Sequence, residues 1–150
     1  MADNRTLYSP SKARIDASDV RLLAPSANVT EHPATDDDEA HLIVAWPDVH
    51  MTIRFMPENQ IAEHLDGFLG YVRTACTTDG SDVIARIEAV RQVLAVVVAP
   101  GFDEDGRCET VLRGVAELQG ALLFRQHLVY DATGKRLAWP STLDDDGEGA

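Results

Sequence analysis

The residues best suited to chemistry here are arginines and histidines that recur at every second position in two stretches of the chain. A two-residue period places alternate side chains on one face of a β-sheet. In residues 41–55 and 122–130 this pattern collects six polar side chains on one predicted face: His41, His50, Thr52, Arg54, Arg125 and His127. Arginine can hold a carboxylate or phosphate through paired N–H donors, and histidine exchanges protons near neutral pH. With no carboxylate expected on the same face, this cluster is a candidate site for a small anionic ligand.

Other motifs of recognised chemistry are incomplete or missing. The loop at residues 101–106 has two aspartates at calcium-loop spacing, but Gly101 and Leu112 occupy ligand positions that require carboxylates. No histidine or cysteine lies at zinc spacing, and no glycine-rich loop suits a phosphate or dinucleotide. Cys108 begins a predicted helix, but its acidic neighbours oppose the lowered thiol pKa that a nucleophile needs. We therefore expect no metal and no cofactor, and the sequence identifies no catalytic residue.

A β-hairpin over residues 41–55 would position the first four members of the cluster. Pro47 and Asp48 suit its tight turn. If Trp46 opposes Val49, the hairpin has one continuous apolar face. That face consists of Leu42, Val44, Trp46, Val49, Met51, Ile53 and Phe55. The opposite face then carries the polar residues, together with Ile43 and Ala45.

The rest of the chain alternates between helical and strand periods. Helices are predicted at about residues 57–76, 82–90 and 108–119, with Ser81 capping the second, and strands at 93–99, 122–130 and 135–139. The strand at 93–99 is wholly apolar, which predicts burial on both faces. Because the helical excursions are long enough for parallel crossovers, the predicted fold is an α+β two-layer sandwich. It would have a mixed β-sheet with about three helices packed mainly on one face.

Composition divides the chain into three parts. Residues 1–40 contain three prolines and an acidic run, and are predicted to form an extended N-terminal arm that can supply an edge strand. Residues 41–140 form the predicted α+β domain. Residues 141–150 hold four acids and are predicted to be an acidic disordered tail.

Charge and cysteine usage limit the partners and the compartment. The chain has 25 acidic and 13 basic residues, a formal net charge of −12, so we expect no nucleic acid partner. No apolar run approaches the length of a membrane span, so we expect no membrane contact. The two cysteines and the polar N-terminal residues are typical of a cytoplasmic protein.

These features favour a function in binding. The apolar centre of the predicted sheet must be covered by protein. The N-terminal arm, a second copy of the chain or a partner could cover it. The leading interpretation is a non-catalytic accessory or protein-interaction protein that acts through a sheet face, as a homodimer or with a protein partner. The alternative is a small enzyme or anion-binding protein using His50, Arg54, Arg125 and His127. A third option is an acidic protein that neutralises a basic partner.

Overall fold

The computed structural model describes residues 2–79, 82–103 and 105–143. Within these ranges the chain forms nine strands, four helices and a last helical turn at residues 141–143. The strands are β1 (Asp3–Ser9), β2 (Asn28–His32), β3 (His41–Ala45), β4 (His50–Phe55), β5 (Cys76–Thr78), β6 (Gln92–Ala99), β7 (Leu122–Arg125), β8 (Leu128–Tyr130) and β9 (Arg136–Pro140). The helices are α1 (Ala17–Leu23), α2 (Glu58–Ala75), α3 (Val83–Glu88) and α4 (Arg107–Gln119). Ser81 and most of the predicted acidic tail, residues 144–150, lie outside the described residues.

The described strands form one sheet in the order β2-β3-β4-β6-β1-β7-β8-β9-β5, and each neighbouring pair is antiparallel. The predicted mixed sheet is therefore wrong. That prediction required parallel strands joined by a helical crossover. β6 and β7 are joined through α4 and do run in the same direction, because both are antiparallel to β1. They do not pair with each other because β1 lies between them.

The described helices cover both faces of the sheet, so the predicted two-layer sandwich with about three helices mainly on one face is also wrong. α1 and α4 pack against one face, and α2 and α3 pack against the other. Alternation along the central strands explains this arrangement. Fully buried Leu7 points into the first core, whereas Tyr8, 2% exposed, points into the second. Strands that are apolar at consecutive positions need cover on both sides. The broader α+β class is confirmed.

The N-terminal residues form the centre of the sheet as well as one edge. β1 pairs with β6 along its whole length and with β7 through Thr6, Leu7 and Tyr8. The same stretch of chain then supplies α1 and the edge strand β2. The sequence pattern does not predict β1, because its first four residues are polar and only its last three residues are buried.

The predicted hairpin is confirmed in its register and its apolar face. His41 is opposite Arg54 and Ala45 is opposite His50, and the Trp46 amide donates to the Val49 carbonyl at 2.9 Å. All seven residues of the predicted apolar face are buried in the first core. The strand predicted at 93–99 differs from expectation, because β6 is buried on both faces only near its start, where Val93 lies in the second core and Leu94 in the first. Ala95 is exposed and Val97 and Ala99 are half-buried.

A buried tyrosine joins β1 to α2. The Tyr8 hydroxyl lies 2.9 Å from His64 Nε2, and the Tyr8 ring stacks on Phe68 with centroids 4.2 Å apart. Burial raises the pKa of Tyr8, so the phenol stays protonated and donates to the imidazole. Burial also lowers the pKa of His64, which keeps the imidazole neutral as the acceptor.

Replacing Leu7 tests the central position of β1. We expect Leu7→Ala to lower the free energy of unfolding by about 2–5 kcal/mol, because the side chain is fully buried between two neighbouring strands. The matched control is Leu22→Ala on α1, where the leucine is 85% exposed, and its effect should stay within about 0.5 kcal/mol. Urea denaturation measures both. Equal effects of the two substitutions would contradict the central placement of β1.

The burial of His64 makes stability depend on pH. The pKa of His64 is lower in the folded chain than in the unfolded one, so on acidification the unfolded chain takes up a proton first. Stability should therefore decrease as the pH falls from about 7 to about 5. His64→Gln keeps an acceptor for Tyr8 but cannot titrate, so urea denaturation of this variant should show a flatter dependence on pH. A slope as steep as that of the wild type would show that His64 does not contribute to it.

Candidate functional site

One part of the sheet surface has no helix packed on it within the described ranges of the chain. We call it the open face: the side of β2, β3, β4, β6 and β1 that points away from α1 and α4. Cross-strand register arranges its side chains in three rows. The rows are Asn28, Ala45, His50 and Ala99; Thr30, Ile43, Thr52, Val97 and Asn4; and His32, His41, Arg54, Ala95 and Thr6. None of these residues is buried, although their neighbours on the opposite face form the first core.

The structure brings together four of the six predicted site residues. His41, His50, Thr52 and Arg54 share the open face on β3 and β4, with His41 directly opposite Arg54. These positions follow from the hairpin register, which the sequence pattern was sufficient to predict.

Arg125 lies apart from the open face. It points to the same side of β7 as Leu123, which packs in the first core beside α4. Its guanidinium lies over the Tyr130 ring, 4.9 Å from the centroid. The expectation that Arg125 shares a face with Arg54 is therefore corrected by the register of β1 and β7.

His127 is also separated from the others, because it lies in a turn and not in a strand. Gln126 and His127 both have positive φ, 49° and 71°, so the chain reverses tightly between β7 and β8. The His127 carbonyl accepts a hydrogen bond from the Tyr71 hydroxyl at 2.8 Å. The sequence predicted one continuous strand here, since neither turn residue is the glycine or asparagine usual at such positions.

A carboxylate reaches the edge of the open face, which the sequence did not predict. Asp38 Oδ1 accepts a hydrogen bond from Arg54 Nη1 at 2.6 Å. Partial desolvation acts to raise the pKa of Asp38, but the hydrogen bond and charge of Arg54 outweigh it and the pKa is lowered. Because this pair is neutral overall, Arg54 is less available to an external anion.

Two histidines stack beside this pair. The rings of His32 and His41 are nearly parallel, 8° apart, with centroids separated by 4.7 Å. His41 Nδ1 lies 2.9 Å from the Glu39 carbonyl, which can only accept, so Nδ1 is the donor of this hydrogen bond. Because the two rings lie in parallel planes, their nitrogen atoms do not converge on one point between them. Within the described residues no group of three or more histidine, cysteine or acidic side chains could hold a metal ion.

The acidic loop before α4 has a structural role. Asp103 is 9% exposed in its side chain, and its Oδ2 accepts from Arg107 Nε at 2.6 Å. Its Oδ1 accepts from the Cys108 amide at 3.1 Å, which satisfies an N–H of the first helical turn. Arg107 also donates to both oxygens of Asp48, at 2.8 and 3.0 Å. Asp103, which lies at calcium-loop spacing in the sequence, therefore binds Arg107 and the Cys108 amide in the structure.

Cys108 is fully buried behind this loop. Burial, together with the negative charge of Asp103, raises the pKa of its thiol to about 11. The thiol is therefore protonated at neutral pH and has no access to a substrate.

No protein-family model matches the chain, and no curated protein or solved structure is significantly similar to it. Among the helices of the described ranges, none combines the length and apolar character that crossing a membrane requires.

Asp103 supplies a test of the acidic loop. At pH 7 we expect Asp103→Asn to lower the free energy of unfolding by about 1–2 kcal/mol, because the amide binds Arg107 and the helix N–H less strongly. The pKa of Asp103 is lowered in the folded chain, since these hydrogen bonds outweigh the effect of burial. The wild-type advantage should therefore be present above the ordinary aspartate pKa of 3.8 and should disappear as the pH falls below it.

The control for this test is Asp105→Asn, whose side chain is 77% exposed and lies 3.8 Å from Arg107. Its effect should stay within about 0.5 kcal/mol in the same urea denaturation series. A stabilisation by calcium that Asp103→Asn abolishes would contradict the structural interpretation of the loop.

Proposed function

We propose that this chain is a non-catalytic protein-interaction module that self-associates through its open face. One observation carries the proposal. The central row of the open face, Asn4, Val97, Thr52, Ile43 and Thr30, has no charged side chain and none that is buried, in a chain of net charge −12.

The occupant that best fits this row is a second copy of the same chain. Two copies of charge −12 repel each other, so they can approach closely only where each presents an uncharged surface. A two-fold axis through the row would place each copy's threonines and Val97 against the same set in the other. Stacked sheets lie about 10 Å apart, which brings such side chains into contact. Threonine pairs can hydrogen bond, and Ile43 and Val97 can bury apolar area.

The two outer rows would form the rim of this interface. One carries the neutral Arg54–Asp38 pair and the stacked His32 and His41, and the other carries Asn28 and His50. An apolar or uncharged centre with a polar rim is the usual anatomy of a protein interface. A cytoplasmic location forms part of the proposal, and the two free cysteines, Cys76 and Cys108, support it.

Sedimentation equilibrium tests the proposal. The wild type should be dimeric at about 0.1 mM, and Thr52→Glu should be monomeric because it places like charges opposite each other at the centre of the interface. Leu22→Glu is the control, since it adds the same charge at an exposed position of α1 on the other side of the sheet, and it should remain dimeric. Circular dichroism checks that both variants are folded. A monomeric wild type, or a dimer unaffected by Thr52→Glu, would overturn the proposal.

A further inference from the structure

A basic cavity lies where the residues after β1 cross the beginnings of α2 and β6. Its volume is about 220 Å³, and Lys12, Arg14 and Arg91 contribute its basic lining. Glu58 is the carboxylate in the lining. Within the described residues no carboxylate lies at ion-pair distance from any of the three basic side chains. Three cationic side chains that have no carboxylate partner among the described residues therefore surround one cavity, in a chain of charge −12.

The beginning of α2 adds to the positive potential of this cavity. Met56 and Glu58 line it, and Pro57 occupies the N-cap position without a side-chain cap hydrogen bond. The helix has 18 residues, so the N–H groups of its first turn form the positive end of a long dipole. Such an end is suited to the oxygens of an anion.

A third and independent feature is the amide of Gln92, which also lines the cavity and is 8% exposed. Its Nε2 faces three acceptors: the carbonyls of Ser11 and Ala13 at 2.7 and 2.8 Å, and Gln119 Oε1 at 2.8 Å. This pattern fixes the orientation of the amide. Its Oε1 is buried and has no hydrogen-bond partner within the described residues. Because this oxygen has almost no accessible surface, a ligand in the cavity does not reach it, and the amide acts on the site through its NH2 group.

The same amide makes the cavity rigid. By holding the carbonyls of Ser11 and Ala13, Gln92 fixes the backbone on both sides of Lys12. The Arg14 guanidinium lies over the Phe55 ring, 4.7 Å from its centroid. Because the backbone beside Lys12 and the Arg14 guanidinium are held before a ligand arrives, less ordering remains to oppose binding.

We propose that this cavity binds a phosphate group, either the free ion or a small phosphate monoester. Phosphate oxygens accept from lysine, from arginine and from the N–H groups of α2. The volume accommodates a phosphate with a few further atoms and is too small for a nucleotide. Glu58 can accept a hydrogen bond from a hydroxyl group of an ester.

Isothermal titration at constant ionic strength tests the site with two probes: inorganic phosphate and glycerol 3-phosphate. Both phosphates should bind with one site per chain, because each presents oxygens to the same three basic side chains. Tighter binding of glycerol 3-phosphate than of inorganic phosphate would identify an ester as the ligand, and the reverse order the free ion. Absence of binding by both phosphates would overturn the proposal.

Charge variants locate the binding. Lys12→Gln and Arg91→Gln replace exposed side chains and should each weaken phosphate binding by about 10-fold. Arg73→Gln is the matched control, since it removes an exposed arginine near the other end of α2, where Arg73 pairs with Glu88. It should bind phosphate like the wild type. If Lys12→Gln and Arg91→Gln also bind like the wild type, the anion does not occupy this cavity and the proposal fails.

Discussion

The fold depends on the insertion of β1 between β6 and β7. The backbone of this strand hydrogen bonds on both sides, and without it the sheet would separate into one group formed by β2, β3, β4 and β6 and another formed by β7, β8, β9 and β5. Its consecutive residues Leu7 and Tyr8 also enter the two different cores. Because antiparallel pairs exchange hydrogen bonds residue by residue, the register of β1 sets the position of one group relative to the other. The open face and the basic cavity both contain residues placed by this strand or by the segment that follows it.

Sequence pattern was a good guide where structure is local and a poor one where strands from distant parts of the chain meet. The hairpin of β3 and β4 was predictable to its register, since Trp46 and Val49 flank a short turn and one face is apolar throughout. The position of β1 was not, because its first residues are polar and its partners lie far along the sequence. The hydrophobic periodicity of one segment does not show which strand will pair between two others in the sheet. Arg125 illustrates the consequence: its neighbours in sequence suggested one face, and pairing through β1 placed it on the other.

Acidic residues and basic residues are used differently in this structure. Asp38 accepts a hydrogen bond from Arg54, and both Asp48 and Asp103 accept hydrogen bonds from Arg107. Part of the negative charge is therefore neutralised in local ion pairs. Lys12, Arg14 and Arg91 have no such partners within the described residues. The sequence did not reveal this group, because two of its members lie in a proline-rich stretch and the third follows a helix. Net charge is therefore a poor description of the surfaces that the chain presents to other molecules.

The central position of β1 also has a consequence for how the chain reaches its folded state. β1 is synthesised before its partners, which follow about 90 and about 115 residues later, so it must wait unpaired until they have emerged. Contacts of such long sequence separation slow folding, because a large loop must close before they form. During that interval β6 presents an apolar edge with no neighbour on the β1 side, and such an edge can pair with a strand from another chain. Folding of this protein should thus compete with aggregation most strongly in the period before its first strand enters the sheet.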